Sequence, residues 1–134
     1  MLRNEKGFTL IEIIAVLVIL GILAAVAVPR YLDLMGQARQ LAAQGAIAEV
    51  KGRLSSAQAK YMMANSGNAP TAAQLLVYAQ DATNGYGANL VNVGTDFTIA
   101  PLVSASPIVI TVNAVQGTTL SPVVNGNFLT ANGT

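Results

Sequence analysis

The stretch GFTLIEIIAVLVILGILAAVAVP, residues 7–29, carries one charged side chain, that of Glu12, near the start of an otherwise apolar run. As a helix, the part from 8 to 28 would measure about 31 Å, which matches the hydrocarbon core of a bilayer. Arg3 and Lys6 precede the run, and basic residues of this kind keep their end of a span in the cytoplasm. The sequence therefore predicts a membrane-spanning helix over 8–28.

A secretory signal peptide and a plain single-pass anchor are the two simpler interpretations of this run. A signal peptide would need a polar cleavage region, but Pro29 and Arg30 lead directly into further helical pattern. A plain anchor leaves Glu12 unexplained, because a charge in the membrane costs roughly 2.5–3.5 kcal/mol and the helix dipole returns about 0.3–1 kcal/mol. Lys6 lies on the wrong side of the helix for a local pair. We therefore expect Glu12 to find its partner in another chain or a newly exposed terminus.

Composition narrows the possible functions further. Of the 134 residues 53% are hydrophobic and 10% are charged, and the net charge is +1, which argues against nucleic-acid binding. The chain has no cysteine and no histidine, so thiolate chemistry and the commonest zinc and general-base residues are excluded. Ser55, Ser56 and Lys60 fall on a solvated helix face and are not interpreted as a catalytic set. We expect no enzyme, cofactor or metal site.

Beyond Pro29 the apolar residues keep a spacing near 3.6, as in an amphipathic helix. Residues 65–68 form a stop signal of Asn and Gly, so one helix is predicted over 8–64. Glu49 and Arg53 follow the favourable i,i+4 order. A helix of this length cannot be buried in one small domain and needs partners. The predicted apolar stripe comprises Tyr31, Leu34, Met35, Ala38, Leu41, Ala42, Gly45, Ala46, Val50, Leu54, Ala57 and Tyr61.

The remaining residues, 65–134, are predicted to form a globular head. Thr71 and Gln74 make a capping-box pattern that begins a short helix. Asn125-Gly126 is expected to break the last strand into a turn or bulge. Three strand-like runs with short connections predict an antiparallel sheet: Leu90–Ala100, Pro107–Val115 and Leu120–Thr130. The predicted fold class is α+β, with the long N-terminal helix packed on a small antiparallel sheet.

The residues G-F-T-L-I-E at 7–12, followed by the apolar run, resemble the class III signal of type IV prepilins. The resemblance implies that a membrane peptidase removes residues 1–7 by cutting between Gly7 and Phe8, and that it methylates the new amine of Phe8. It also implies that Glu12 pairs with the Phe8 amine of a neighbouring subunit and sets the register of helices in a filament. A buried polar pair is a poor stabiliser but can specify register.

Two residues are expected to weaken the apolar helix. Pro29 removes a backbone hydrogen bond and predicts a kink, and Gly21 weakens a helix by roughly 1 kcal/mol relative to alanine. The resemblance implies that the segment from Gly21 to Pro29 loses helicity in an assembled filament. The order of PRYLDL and QAR, residues 29–39, resembles the mannose-sensitive haemagglutinin branch of pilins. Unlike many type IV pilins, this chain has no cysteine to close a C-terminal loop, so sheet pairing or packing in the filament must hold its C-terminal residues.

The function implied by the resemblance is that of a major pilin, a structural subunit for adhesion or motility. The precursor would sit in the inner membrane with its N-terminus in the cytoplasm. Prepilin peptidase and an ATPase-driven assembly machinery would convert it into a homo-oligomeric surface filament. A type II secretion pseudopilin and a monomeric membrane-anchored adhesin are the alternatives. A calcium site would favour the pseudopilin; the candidate oxygen donors are Asp81, Asn84, Asn89, Asn92 and Asp96, of which only two are charged.

Overall fold

The computed structural model describes residues 7–134 as helices and one antiparallel sheet. Its elements are α1 (Leu10–Ala64), α2 (Ala72–Gln80), a 3₁₀ helix (Gly87–Leu90), β1 (Phe97–Ile99), β2 (Ile108–Val115) and β3 (Thr118–Phe128). The strand order in the sheet is β1-β2-β3, with both pairs antiparallel. The predicted α+β class is confirmed. The chain divides into two compact units, of which the first ends at Gln37 and the second runs from Ala38 to Thr134.

The end of α1 is closed by its own following residues. Ser66 and Gly67 adopt left-handed φ angles of 55° and 85°, and the Gly67 N–H donates to the Met62 carbonyl at 2.7 Å. The Asn65 side-chain amide donates to the Tyr61 carbonyl at 2.9 Å. These bonds satisfy carbonyls that the last helical turn leaves free. The stop signal expected at 65–68 is confirmed.

The core of the second unit lies between α1, α2 and the sheet. The buried residues of α1 are Ala43, Ala46, Ile47, Val50, Leu54 and Ala57. The expected apolar stripe was therefore partly wrong, because it included the exposed Leu41, Ala42 and Gly45 and omitted Ala43 and Ile47. The helix carries small and apolar residues around much of its circumference, so spacing alone does not say which face meets the sheet.

The other sides of the core come from α2, the 3₁₀ helix and the strands. The buried apolar residues there are Ala72, Leu75, Leu76, Ala79, Leu90, Ile108, Ile110, Val112, Val115 and Leu120. The expected alternation along β2 is confirmed as far as Val112. A bulge between Val112 and Ala114 then changes the phase, so that Val115 is buried in place of Ala114. Gln116 and Gly117, with φ angles of 52° and 71°, connect β2 to β3 as a two-residue hairpin turn.

The strand predicted over Leu90–Ala100 is wrong for most of its length. β1 covers Phe97–Ile99 alone, and Leu90 ends the 3₁₀ helix, where it is buried. The physical reason is Arg53, whose guanidinium donates to the carbonyl of Asn89 and, at 3.0 Å, to that of Asn92. Carbonyls held by a helix side chain in this way are not available to a strand ladder.

The turn or bulge predicted at Asn125-Gly126 is also wrong. Both residues lie inside β3, where Asn125 pairs with Thr111 and Gly126 pairs with Ile110. A Cβ at position 126 would clash with the Ile47 side chain of α1 and lie 3.2 Å from Cε of Lys51. Glycine is present here because α1 approaches the strand closely. A glycine inside a strand can mark such a close approach as well as a bulge.

Hydrogen bonds to three other segments, and one within the segment itself, hold the residues after β3. The Ala131 N–H donates to Oε1 of Gln58 in α1 at 3.0 Å, and the Ser106 hydroxyl donates to the Gly133 carbonyl at 3.2 Å. The Thr134 O atom accepts from the Ala72 N–H at 2.7 Å and from the Thr130 hydroxyl at 2.8 Å. These bonds, rather than sheet pairing, fix the segment 129–134.

Candidate assembly segment

The first unit presents an apolar helix with no cover from the rest of the described chain. Every residue from 7 to 34 is exposed. Among residues 7–134, α1 has a stretch long and apolar enough to cross a membrane, and that stretch lies near the N-terminus. An apolar surface of this extent on a protein marks contact with a membrane or with other proteins. The candidate functional site is this segment.

Glu12 closes the N-terminus of α1 against Thr9. Oε2 of Glu12 accepts from the Thr9 backbone N–H at 2.8 Å, and the Thr9 hydroxyl accepts from the Glu12 backbone N–H at 3.3 Å. The two residues form a capping box, with Thr9 at the N-cap and Glu12 three residues later. Thr9 thus gives Glu12 a local hydrogen-bond partner, whereas the expected pairing of Glu12 with an amine of another chain stays a prediction. The pattern Thr-x-x-Glu before an apolar run, present at 9–12, is the signal that identifies Thr9.

The expected cleavage position lies just outside the helix. Gly7, Phe8 and Thr9 have no regular secondary structure, and α1 begins at Leu10. Phe8 is 86% exposed. Phe8 and Glu12 line one open cavity of about 460 Å³ together with Ile13, Val16 and Leu17. The structure thus brings together two of the predicted site residues, Phe8 and Glu12, beside a peptide bond with accessible backbone.

Gly21 and Pro29 lie farther along the same helix. Both are inside α1, which runs without interruption through Pro29. A Cβ at Gly21 would meet no atom within 4 Å, so no contact within the described chain requires glycine there. Gly21 and Pro29 both lower the stability of the helix. A loss of helicity between them stays a prediction.

The candidate oxygen donors in the second unit do not converge. Oδ1 of Asp81 accepts from the backbone of Thr83 at 2.6 Å, and Oδ1 of Asn92 accepts from the Gly94 N–H at 3.4 Å. The carbonyls of Asn89 and Asn92 face Arg53. Within 7–134, no group of three or more His, Cys, Asp or Glu side chains could hold a metal ion.

Comparisons with known proteins agree with this geometry. Residues 2–28 match the prokaryotic N-terminal methylation motif. The N-terminal segment is thus similar to the segments that carry this motif. This confirms the resemblance for the part of the chain that carries the apolar helix and its capping box.

Named relatives are similar to this chain over about two fifths of its length. Over 48 residues, 36% of this chain and 41% of the relative, the chain is 52% identical to a type IV narrow pilus major component of Thermus thermophilus. It is 48% identical to the type II secretion system core protein G of Pseudomonas aeruginosa over 52 residues, 39% of this chain and 37% of the relative.

A third relative is the type IV major alpha-pilin of Moraxella bovis, 42% identical over 50 residues, 37% of this chain and 31% of the relative. The chain thus spans less than half the length of each of these relatives. No solved structure is significantly similar to the chain.

Proposed function

We propose that this protein is a structural subunit of a type IV pilus, a major pilin that polymerises through α1. The observation that carries the proposal is the coincidence of two features in one segment. The segment matches an N-terminal methylation motif over residues 2–28, and its side chains from 7 to 34 are all exposed although most are apolar. Such a helix needs lipid before assembly and neighbouring helices afterwards.

Processing is the first step of the proposed function. Prepilin peptidase cuts the peptide bond between Gly7 and Phe8, which lies in accessible, non-helical backbone, and methylates the new amine. Removal of residues 1–7 takes Arg3, Glu5 and Lys6 away. The mature chain then begins at Phe8, one residue before the N-cap Thr9, so a positive amine stands close to the start of α1.

Glu12 is proposed to serve two bonds at once. Its Oε2 atom already accepts from the Thr9 N–H, but an ionised carboxylate has about four acceptor sites. The remaining sites can accept from the Phe8 ammonium of a neighbouring subunit, while the cap holds the side chain in place. Because the ammonium compensates the carboxylate, the charge of Glu12 can be buried inside a packed bundle of helices.

Location and partners follow from the same segment. The precursor sits in the inner membrane through residues 8–28 with its N-terminus in the cytoplasm, as the basic residues before the span favour. Assembly machinery driven by a cytoplasmic ATPase extracts the mature subunit into a helical homo-oligomer on the cell surface. The second unit then forms the filament surface that supports adhesion or motility.

A type II secretion pseudopilin is the second candidate function. The observation in its favour is the 48% identity to a type II secretion system core protein G. The pilin and the pseudopilin share the processing of the precursor and the packing of the helix. They differ in the location of the polymer, since a pilus lies on the cell surface and a pseudopilus stays in the periplasm. The monomeric adhesin differs from both because it needs no contact between subunits at Glu12.

The decisive experiment is intact mass and N-terminal sequencing of protein sheared from the surface of the native cells. The proposed pilin yields filaments whose chains begin with N-methylated Phe8. Processed chains that remain in the periplasm would assign the protein to the pseudopilin class. Uncut chains found only in membranes would overturn both filament functions and leave the monomeric anchor.

A further inference from the structure

An open cleft of about 380 Å³ lies between the C-terminal part of α1 and α2, within the second unit. Its walls are Tyr61 of α1 together with Ala73, Gln74, Val77, Tyr78 and Asp81. The rings of Tyr61 and Tyr78 meet edge to face, with centroids 5.4 Å apart and planes at 87°. Two aromatic rings at right angles form a corner into which an apolar group can fit from two sides.

The cleft carries one charge among its lining residues, and that charge is negative. Oδ1 of Asp81 accepts from the backbone N–H groups of Thr83 at 2.6 Å and Asn84 at 3.4 Å. These bonds lower the pKa of the Asp81 carboxyl below its ordinary value, so the group is ionised at neutral pH. The carboxylate is therefore held by the loop that follows α2, and it lies among the lining residues of the cleft.

Two cations of α1, Arg53 and Lys60, contact groups outside the cleft lining. The Arg53 guanidinium bonds Glu49 at 3.1 Å and lies 5.9 Å from the ring centroid of Tyr86. Nζ of Lys60 lies 5.6 Å from the same ring. Within residues 7–134, Asp81 belongs to no ion pair. The charge of the cleft is thus not neutralised by the described chain.

We propose that this cleft binds an organic ammonium ion, with its apolar groups against Tyr61 and Tyr78 and its charge at Asp81. Aromatic rings and a carboxylate are the groups that recognise alkylated ammonium, through the ring quadrupole and through direct charge attraction. A neutral apolar ligand would contact the two rings but would gain nothing from the carboxylate. All of its lining residues belong to the second unit, so a monomeric preparation serves to test it.

The test uses the full chain in a non-ionic maltoside detergent, because choline-headed detergents would compete for the site. Choline is titrated against the ring-proton NMR signals of Tyr61 and Tyr78, with its neutral carbon isostere 3,3-dimethyl-1-butanol in parallel. We expect a saturable shift with choline and none with the alcohol. n-Butylammonium, which resembles a lysine side chain, distinguishes a primary from a quaternary ammonium as the preferred form.

Three variants connect any binding to this cleft. Asp81→Asn keeps the oxygen that Thr83 and Asn84 need but removes the charge, and it should weaken choline binding by at least about tenfold. Asp96→Asn removes the other acidic charge beyond Lys60 and should leave binding unchanged. Val77→Arg, at a side chain that is 74% exposed, places a cation at the cleft and should abolish binding without unfolding the protein.

Any of three results overturns the proposal. Equal shifts with choline and the alcohol would mean that the cleft is merely apolar. A choline affinity that survives both Asp81→Asn and Val77→Arg would place the binding elsewhere on the molecule. Absence of any saturable shift with choline and n-butylammonium in the wild-type protein would exclude an ammonium site altogether.

Discussion

Thr9 and Glu12 close the first turn of α1 on each other, through bonds of 2.8 Å and 3.3 Å between each side chain and the other's backbone N–H. The relationship gives Glu12 a role in the single chain, before any neighbour is present. A carboxylate at this position therefore serves helix initiation as well as the proposed contact between subunits. The two roles can be separated by substitution, because only the second needs a negative charge.

The substitution Glu12→Gln separates helix initiation from the proposed contact between subunits. Glutamine at the third helical position can still accept from the Thr9 N–H, so membrane insertion and cleavage after Gly7 should proceed as in the wild type. Assembly should fail, since removing one partner of a buried ion pair costs about 3–5 kcal/mol. The measurement is the ratio of sheared filament to processed membrane-bound subunit, determined by immunoblot.

Glu12→Ala is the matched comparison, because it removes the cap as well as the charge. Loss of an N-terminal cap costs roughly 0.5–2 kcal/mol of helix stability, so this variant should also start its helix later. Hydrogen exchange at residues 10–13 in micelles reports that change. A Glu12→Gln protein that still forms filaments at the wild-type level would show that the charge of Glu12 has no part in assembly.

Gly126→Ala should destabilise the second unit although alanine is ordinarily the better residue in a folded chain. The new Cβ would clash with Ile47, and overpacking of this kind costs about 1–3 kcal/mol. Urea unfolding of the full chain in non-ionic micelles, followed by tyrosine near-UV circular dichroism, measures the change. Combining it with Ile47→Ala should cost less than the sum of the two single changes, since contacting sites are not additive.

Gly45→Ala provides the control for that experiment. Gly45 lies on the exposed side of α1, and a Cβ there would meet nothing within 4 Å. Alanine should therefore stabilise the helix by up to about 1 kcal/mol. Opposite signs at positions 45 and 126 would attribute the effect at 126 to close approach of the helix. Destabilisation of equal size at both positions would contradict that explanation.

The contrast between these two glycines shows what the sequence can predict for this fold. Local signals were sufficient where a few neighbouring residues decide the structure. The features of this kind are the end of α1 at Ala64, the capping box of Thr71 with Gln74 and the Thr-x-x-Glu pattern at 9–12. Asn125-Gly126 has the same local pattern as a turn, and only the position of Ile47 across the core makes it part of a strand.

The distinction between local signals and contacts distant in sequence also explains the other differences between the predicted and the observed fold. Residues 90–96 have the composition of a strand, but a side chain 36 positions earlier, Arg53, takes up the Asn89 carbonyl. The stripe of α1 was misplaced because both faces of the helix are apolar or small. Of the candidate site, the apolar segment and the pair of Phe8 and Glu12 could be predicted, since the motif is contiguous. The cleft at Tyr61 could not, because its walls come together only through packing.

Gln58→Ala should loosen the segment after β3. Oε1 of Gln58 accepts from the Ala131 N–H at 3.0 Å, and the loss of one such bond costs about 0.5–1.5 kcal/mol. The expected result is faster hydrogen exchange at Ala131 and at its neighbours, with the β2–β3 pairing unchanged. Gln44→Ala, at an exposed position of the same helix, should leave the exchange at Ala131 as it is. Unchanged protection at Ala131 in the Gln58 variant would mean that other bonds suffice to hold this segment.

The acid stability of the second unit should depend on Asp81. The N–H groups of Thr83 and Asn84 lower the pKa of this carboxyl below its ordinary value of 3.8, so the folded state binds the proton less readily than the unfolded state. The stabilisation is therefore fully present above about pH 4 and is lost as the pH falls through the lower folded pKa. Urea midpoints of the full chain, measured between neutral and strongly acidic pH, should fall less steeply on acidification in Asp81→Asn than in the wild type. Asp96→Asn, whose carboxyl oxygens make no comparable bond among residues 7–134, should follow the wild-type curve, and identical curves for all three proteins would refute a role for Asp81.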